Sequence, residues 1–420
     1  MSKLNIMIDI RERQKINTSQ MSVKMGFDRT YWGKIESGKK PLTDETIRKF
    51  KEVLDAPLLI LSEDDVLHFK NKLMDWKNAI TYEELDKAKS MQAQLARTLE
   101  LSPNGTMERL YNIFTIGFYR VHANFKEMDK QIAKLKKQAD YFTNEEAHWY
   151  YRQVAVRAHD LLDYNVAIDA YLRAEKSGEE TNLNNEGFYY NIGHCLTDMG
   201  YATTAIQYLE KALDKAVENK NHAHDVYMRI MLSANYIPTG RAADAVQILF
   251  GCLNEIKGKN NLQVIIGLIY RRIALAYSAL EDFDAAIKNI DTSFDFLESG
   301  HDFYNENLYY KAVILLSAKK RQEAETCLAQ GIAVTKETSL AFVMLNTLNH
   351  LLNLKKPISC EYVENIAIPK LKYHCVNVQL LDCYSKLGEH YEENNVIKSN
   401  MYFREAFALS EKLRKGNLSC

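Results

Sequence analysis

The sequence predicts an all-α fold, with a small helical N-terminal domain followed by a long array of helix pairs. Three observations predict it. The 420 residues include only 17 Gly and 6 Pro, against averages of roughly 7% and 5%, so tight turns are few. A sandwich, a barrel or a doubly wound α/β fold needs more of them. The first sixty residues carry a succession of helix caps and glycine stops. Beyond them a buried-type small residue recurs at a near-constant interval.

The composition bounds the function classes. Hydrophobic residues make up 46% and charged residues 26%, with 55 acidic against 54 basic side chains. A net charge of −1 gives no global field toward nucleic acid or membrane. The charge is uneven, however. Residues 1–60 hold 12 Lys/Arg and 8 Asp/Glu, a local +4, which leaves −5 for the remainder. Charges interrupt residues 1–10, so no secretion signal is expected. Apolar runs such as Val264–Tyr270 are far shorter than a membrane helix. The seven cysteines (195, 252, 327, 360, 375, 383, 420) show no CxxC pair and no His–Cys spacing. They read as reduced thiols in a cytoplasmic protein with no metal site and no cofactor.

Residues 1–60 predict a five-helix domain. Ile10-Arg11-Glu12-Arg13 ends a first helix. Asn17 caps a second, which Gly26 stops. Asp28 caps a third, running from Arg29 to Ser37, and Gly38-Lys39-Lys40-Pro41 ends it. Thr43-Asp44-Glu45 caps a fourth, Glu45–Leu54, and Pro57 stands where a fifth would start. Two short helices around a Gly turn make a helix-turn-helix. Arg29, Thr30, Tyr31 and Lys34 face outward from the second of them, with Lys39 and Lys40 on the loop beyond. Their lengths and donors suit base edges and phosphates in a major groove; a solvated basic face is the alternative.

The run from Ile10-Arg11-Glu12-Arg13 through Gly26-Phe27-Asp28-Arg29 to Ile35-Glu36-Ser37-Gly38-Lys39-Lys40-Pro41 resembles the XRE/Cro family of helix-turn-helix domains. The resemblance implies a structural pair between Arg11 and Glu36. It also implies contacts to double-stranded DNA, with Thr18 where the family usually has Gln. Gly33 weakens the recognition helix by roughly 1 kcal/mol relative to Ala.

Residues 61–105 read as a linker and first helical unit, opening on the capping-box-like Ser62-Glu63-Asp64-Asp65. Residues 106–415 read as degenerate repeats. A small residue opens the second helix of each unit at Ala167, Ala205, Ala245, Ala286 and Ala324, at intervals of 38, 40, 41 and 38. Gly200 and Gly240 fall at turns within units, and Gly193 and Gly388 at close-contact positions. The array resembles the tetratricopeptide repeat, with units longer than that family's period of about 34. That resemblance implies a right-handed solenoid; an ungrouped helical bundle is the alternative.

Helical register places Arg152, Gln153, His159, Tyr190, Asn191, His194, Arg271, Arg272, Tyr309, Tyr310 and Asn346 on the inner face. Asn can grip both polar groups of an extended peptide's backbone, and Arg can clamp a carboxylate. Arg271 and Arg272 have no acid within a turn of their own helix, so a partner comes from a neighbouring repeat or a ligand. Asn191 can equally bond within the solenoid, and Tyr190 or Tyr310 can equally pack in a core. His159 and His194 read first as ordinary polar residues.

A helix-turn-helix head on such an array resembles the RRNPP family of Gram-positive bacteria and their phages. The resemblance implies a cytoplasmic quorum-sensing receptor that binds a palindromic operator as a homodimer or higher homo-oligomer. A short signalling peptide in the groove would control it. Family members without the DNA-binding head imply an alternative, a scaffold that sequesters or dephosphorylates a phosphorelay protein. No P-loop, metal-ligand cluster or nucleophile–base motif suggests an enzyme.

Overall fold

The computed structural model describes residues 3–54, 59–220, 225–256, 262–299 and 301–416. Among them every regular element is helical. The first four helices are α1 (Lys3–Arg13), α2 (Thr18–Lys24), α3 (Tyr31–Glu36) and α4 (Asp44–Val53). Asn17 caps α2 through a full capping box with Gln20, and Thr43 caps α4. Asp28 does not cap α3 as expected. Its carboxylate accepts from the Thr30 N–H (2.9 Å) and hydroxyl, an Asx turn that delays the helix to Tyr31.

The described residues do not show the expected fifth helix. Pro57 lies outside the described residues, and Leu59–Leu61 are non-helical up to the next helix at Glu63. The reason is burial: Leu59 and Leu61 pack into the same core as Met7, Ile10, Met21, Trp32, Ile35 and Phe50. Trp32 stacks on Phe50 with ring centroids 5.2 Å apart. Ser102 Oγ donates to Ile60 O at 2.6 Å, satisfying the carbonyl of this buried strap.

The helices that follow pair consecutively. They are α5 (Glu63–Thr81) with α6 (Leu85–Leu101), α7 (Gly105–Val121) with α8 (Phe125–Lys136), and α9 (Asn144–Asp160) with α10 (Tyr164–Thr181). Next come α11 (Glu186–Asp198) with α12 (Ala202–Glu218), α13 (Asp225–Tyr236) with α14 (Ala242–Ile256), and α15 (Gln263–Ala279) with α16 (Phe283–Phe294). Then α17 (Asp302–Ser317) pairs with α18 (Arg321–Val334). The next helix, α19 (Leu340–Leu351), is followed by α20 (Pro357–Tyr362) and α21 (Ile368–Tyr373), which a π-turn at Val363–Ala367 joins. Last is α22 (Asn377–Tyr391) with α23 (Val396–Lys415). The helical unit expected within residues 61–105 is the α5–α6 pair, Glu63–Leu101.

One turn geometry repeats through the array. Glu83, Ala123, Leu162, Gly200, Gly240, Glu281 and Lys319 all have φ between 52° and 80°. The next residue's N–H reaches back five residues to a helix carbonyl at 2.8–3.0 Å, as from Tyr201 to Leu196 and Asp282 to Tyr277. This is the Schellman closure of a helix C-terminus. Five residues after each turn residue stands a fully buried one: Ala88, Met128, Ala167, Ala205, Ala245, Ala286 and Ala324. The small residues that mark the repeat in the sequence are the points where paired helices touch. This is a TPR-like α-solenoid.

The chain divides into two compact units. One is Met1–Val154 with Lys176–Thr181; the other is Ala155–Glu175 with Asn182–Cys420. Within the second, the chain returns to its own start. Asn377 Nδ2 donates to Met199 O at 2.8 Å, and His374 Nδ1 lies 3.3 Å from Leu162 O.

Candidate functional site

In the first unit, Arg11 and Glu36 form the pair that the sequence leads one to expect. Arg11 Nε lies 2.7 Å from Glu36 Oε1, and its Nη1 donates to Ile16 O at 2.7 Å. Trp32 Nε1 donates to the same carboxylate oxygen. The arginine is buried and its charge fully used, which leaves it a clamp between α1 and α3. Arg29, Thr30, Lys34, Lys39 and Lys40 are exposed. No ion pair among the described residues engages the four basic ones. Tyr31 is half-buried, stacked on Phe27 at 4.0 Å, with Lys40 Nζ 4.5 Å over its ring. Thr18 is half-buried beside Gly33, where an added Cβ would lie 3.9 Å from Thr18 Cβ. Together they form a basic face with one aromatic anchor at the α2–α3 corner.

Arg152 and Gln153 also belong to the first unit. Arg152 sits over the Trp149 ring at 5.6 Å. The Gln153 amide packs against Gly117, so it serves the α7–α9 contact.

In the second unit the first helices of successive pairs bring charged and aromatic groups together. Arg271 and Arg272 diverge, because adjacent helical residues point about 100° apart. Arg271 is buried, with Nη1 2.8 Å from Glu306 Oε2 and 3.3 Å from Asn307 Oδ1. Asn307 in turn donates to Ser293 Oγ at 2.6 Å. The expectation that Arg271 faces a ligand is corrected: it ties α15 to α17. Tyr309 is corrected likewise. It is buried in the cluster of Leu308, Ala312, Leu328 and Leu345, where burial pushes its phenol up.

Arg272 differs. Among the described residues its Nε is shut from solvent with no hydrogen-bond partner, and Nη2 meets Met231 Sδ at 3.6 Å. Burial works against its charge, and so does Arg271 beside it. Asp198, Tyr190 and Tyr310 stand within electrostatic range. Tyr190 and Tyr310 are half-buried; burial pushes the Tyr190 phenol up to about 12 and the Tyr310 phenol up as well. Next along the face lie His194 and Asp198 on α11 and His159 at the end of α9. His159 Nε2 is 2.9 Å from Asp198 Oδ2, and His194 Nε2 is 3.7 Å from it. Asn191 is half-buried. Asn346 donates to Phe342 O in its own helix at 3.1 Å. Sequence reasoning missed Asp198, although His194-x-x-x-Asp198 spacing puts both on one helix face. It also missed Asn235, whose Nδ2 donates to Thr197 Oγ1 at 2.7 Å.

Comparison with known proteins agrees with this architecture. The tetratricopeptide repeat model matches residues 187–214, the α11–α12 pair. The response regulator aspartate phosphatase I of Bacillus subtilis (strain 168) is 20% identical over 381 residues, covering 83% of this chain and 92% of that protein. The quorum sensor NprR in complex with its cognate peptide NprX superposes with a TM-score of 0.71 at 17% identity, over 82% of this chain and 99% of that one. A Rap protein complexed with competence and sporulation factor gives 0.69 at 14% identity, over 83% and 99%. The chain thus carries a tetratricopeptide-type solenoid with the fold found in NprR and Rap proteins. These likenesses agree with the RRNPP resemblance of its sequence. No helix among the described residues is long and apolar enough to cross a membrane.

Proposed function

We propose that the protein is a DNA-binding transcriptional regulator controlled by a short linear peptide held on the inner face of its second unit. Arg272 is the observation that carries the reading. A guanidinium with a buried, unpartnered Nε costs about 1–3 kcal/mol. A peptide carboxylate would supply the missing acceptor bidentately. Asn191 and Asn346 hold the peptide backbone, and Tyr190 and Tyr310 pack its side chains. Arg29, Thr30, Tyr31, Lys34, Lys39, Lys40 and Thr18 meet DNA, two copies of the chain reading a palindromic site. The peptide shifts DNA affinity by its differential binding to the two states of the solenoid. In this reading the protein works in the cytoplasm.

Calorimetry with short linear peptides tests the first part. Asn191→Ala with Arg272→Ala is expected to abolish binding, and undiminished affinity would sink the assignment. For the second part, Arg29→Ala with Lys34→Ala is expected to weaken operator binding and flatten its salt dependence by about two phosphate contacts. A second reading rests on the relationship to an aspartate phosphatase: the array sequesters or dephosphorylates a phosphorelay protein. A pull-down of response regulators by the full chain, released on adding peptide, would favour it.

A further inference from the structure

We propose that His159, His194 and Asp198 form a binding site for a divalent transition-metal ion of the zinc, cobalt and nickel class. The site stands independently of the peptide reading. His194 and Asp198 share one face of α11, and His159 enters from the last turn of α9 in the preceding pair. One ligand atom from each residue lies within 4.8 Å of the other two. Both imidazoles turn Nε2 toward the same carboxylate oxygen, and their rings stand nearly perpendicular, with centroids 4.9 Å apart.

A hydrogen bond explains only half of this. Asp198 needs one imidazole, which His159 provides at 2.9 Å. At 3.7 Å, His194 is too far for a hydrogen bond, yet it faces the same oxygen. An ion explains both. Zinc sits about 2.0–2.2 Å from His nitrogen and carboxylate oxygen, which spaces tetrahedral ligand atoms about 3.3 Å apart. The two observed separations fall on either side of that value.

Two imidazoles with one carboxylate suit zinc, cobalt or nickel better than magnesium or calcium. Arg272, within electrostatic range of Asp198, opposes a second positive charge, so occupancy must overcome that repulsion. Three protein ligands leave one tetrahedral position open to water or an incoming donor. Coordination would pin the end of α9 to α11.

The test is a titration of the untagged full chain with Co²⁺, read by visible absorption and by competition with Zn²⁺. One equivalent is expected to bind with ligand-field bands and no thiolate charge-transfer band. His159→Ala and Asp198→Asn are each expected to weaken binding at least tenfold, while His301→Ala leaves it unchanged. Circular dichroism checks that each variant is folded, and His194→Gln replaces either one that is not. Absent binding, binding indifferent to the folded variants, or a thiolate band would each overturn the proposal.

Discussion

Arg271 and Arg272 show how neighbouring residues of one type take opposite roles. Arg271 has its acid, Glu306, 35 residues away on α17. That pair is invisible to any local pattern, because it depends on how the α15 and α17 helices stack. Replacing Arg271 by Met is expected to destabilise the protein by about 2 kcal/mol, as expected for a buried pair whose acid keeps a third of its surface. Arg272→Met removes a charge that burial opposes and an unpartnered donor. It is expected to raise stability by about 1 kcal/mol, both changes being read from urea unfolding midpoints. A loss of stability in Arg272→Met would mean that an acid already pairs with it. Gly33 is the second residue whose local cost is visible. Its backbone φ is not positive, and an added Cβ would make only ordinary contact with Thr18. Gly33→Ala is expected to stabilise the first unit by about 0.5–1 kcal/mol, raising its melting temperature.

At the scale of elements, the turns separate what the sequence reveals from what it hides. Gly200 and Gly240 are legible as stops, because only glycine enters the left-handed region freely. Leu162, Glu281 and Lys319 hold the same conformation without that signature. There the Schellman bond and the packing of the next helix impose it, and the period of buried alanines is the only trace in the chain. Lys319→Gly is expected to gain up to about 1 kcal/mol, and Gly240→Ala to lose about 1 kcal/mol. Gly200→Ala should lose more, since its Cβ would lie 3.1 Å from Val378 Cγ2, whereas Gly240 has open space. Equal losses would deny that α22 rests on this turn. The α11 helix also carries a pH dependence. Burial holds the His194 pKa below 6.5, against the pull of Asp198 and with the help of His159 and Arg272. The unfolded chain therefore takes that proton first. Stability is full above about pH 6.5, falls as pH drops below it, and levels off beneath the folded pKa. The Asp198 carboxyl is held below 3.8, so its contribution is lost only at lower pH. With a chelator present, His194→Gln is expected to reduce the loss of stability between neutral pH and pH 5. His350, also held low by burial, accounts for part of what remains.

For the whole molecule, the return of the C-terminal helices to the first pairs of the second unit changes how that unit should unfold. An open solenoid has only nearest-neighbour contacts, so its repeats can fray one after another from the ends. Here Asn377 and His374 bridge 178 and 212 residues of chain to Met199 and Leu162. Sequence periodicity carries no sign of this, because it reports which faces meet inside a repeat and not where the array ends. It is the stacking of first helices, α11 through α15 to α17, that brings Asp198, Arg272 and Tyr310 within range of one another. Joined ends make fraying costly, since opening either one breaks contacts with the other. The intact chain is thus expected to protect the amides of α11 and of α22 to similar degrees in hydrogen exchange. Asn377→Ala with His374→Ala removes about 1 kcal/mol per bond. It is expected to speed exchange in α22 and α23 first and in the α9–α10 turn with them, while α15 stays slow. If exchange quickened only around the mutated residues, the two ends would be neighbours without being coupled, and the unit would behave as an open stack.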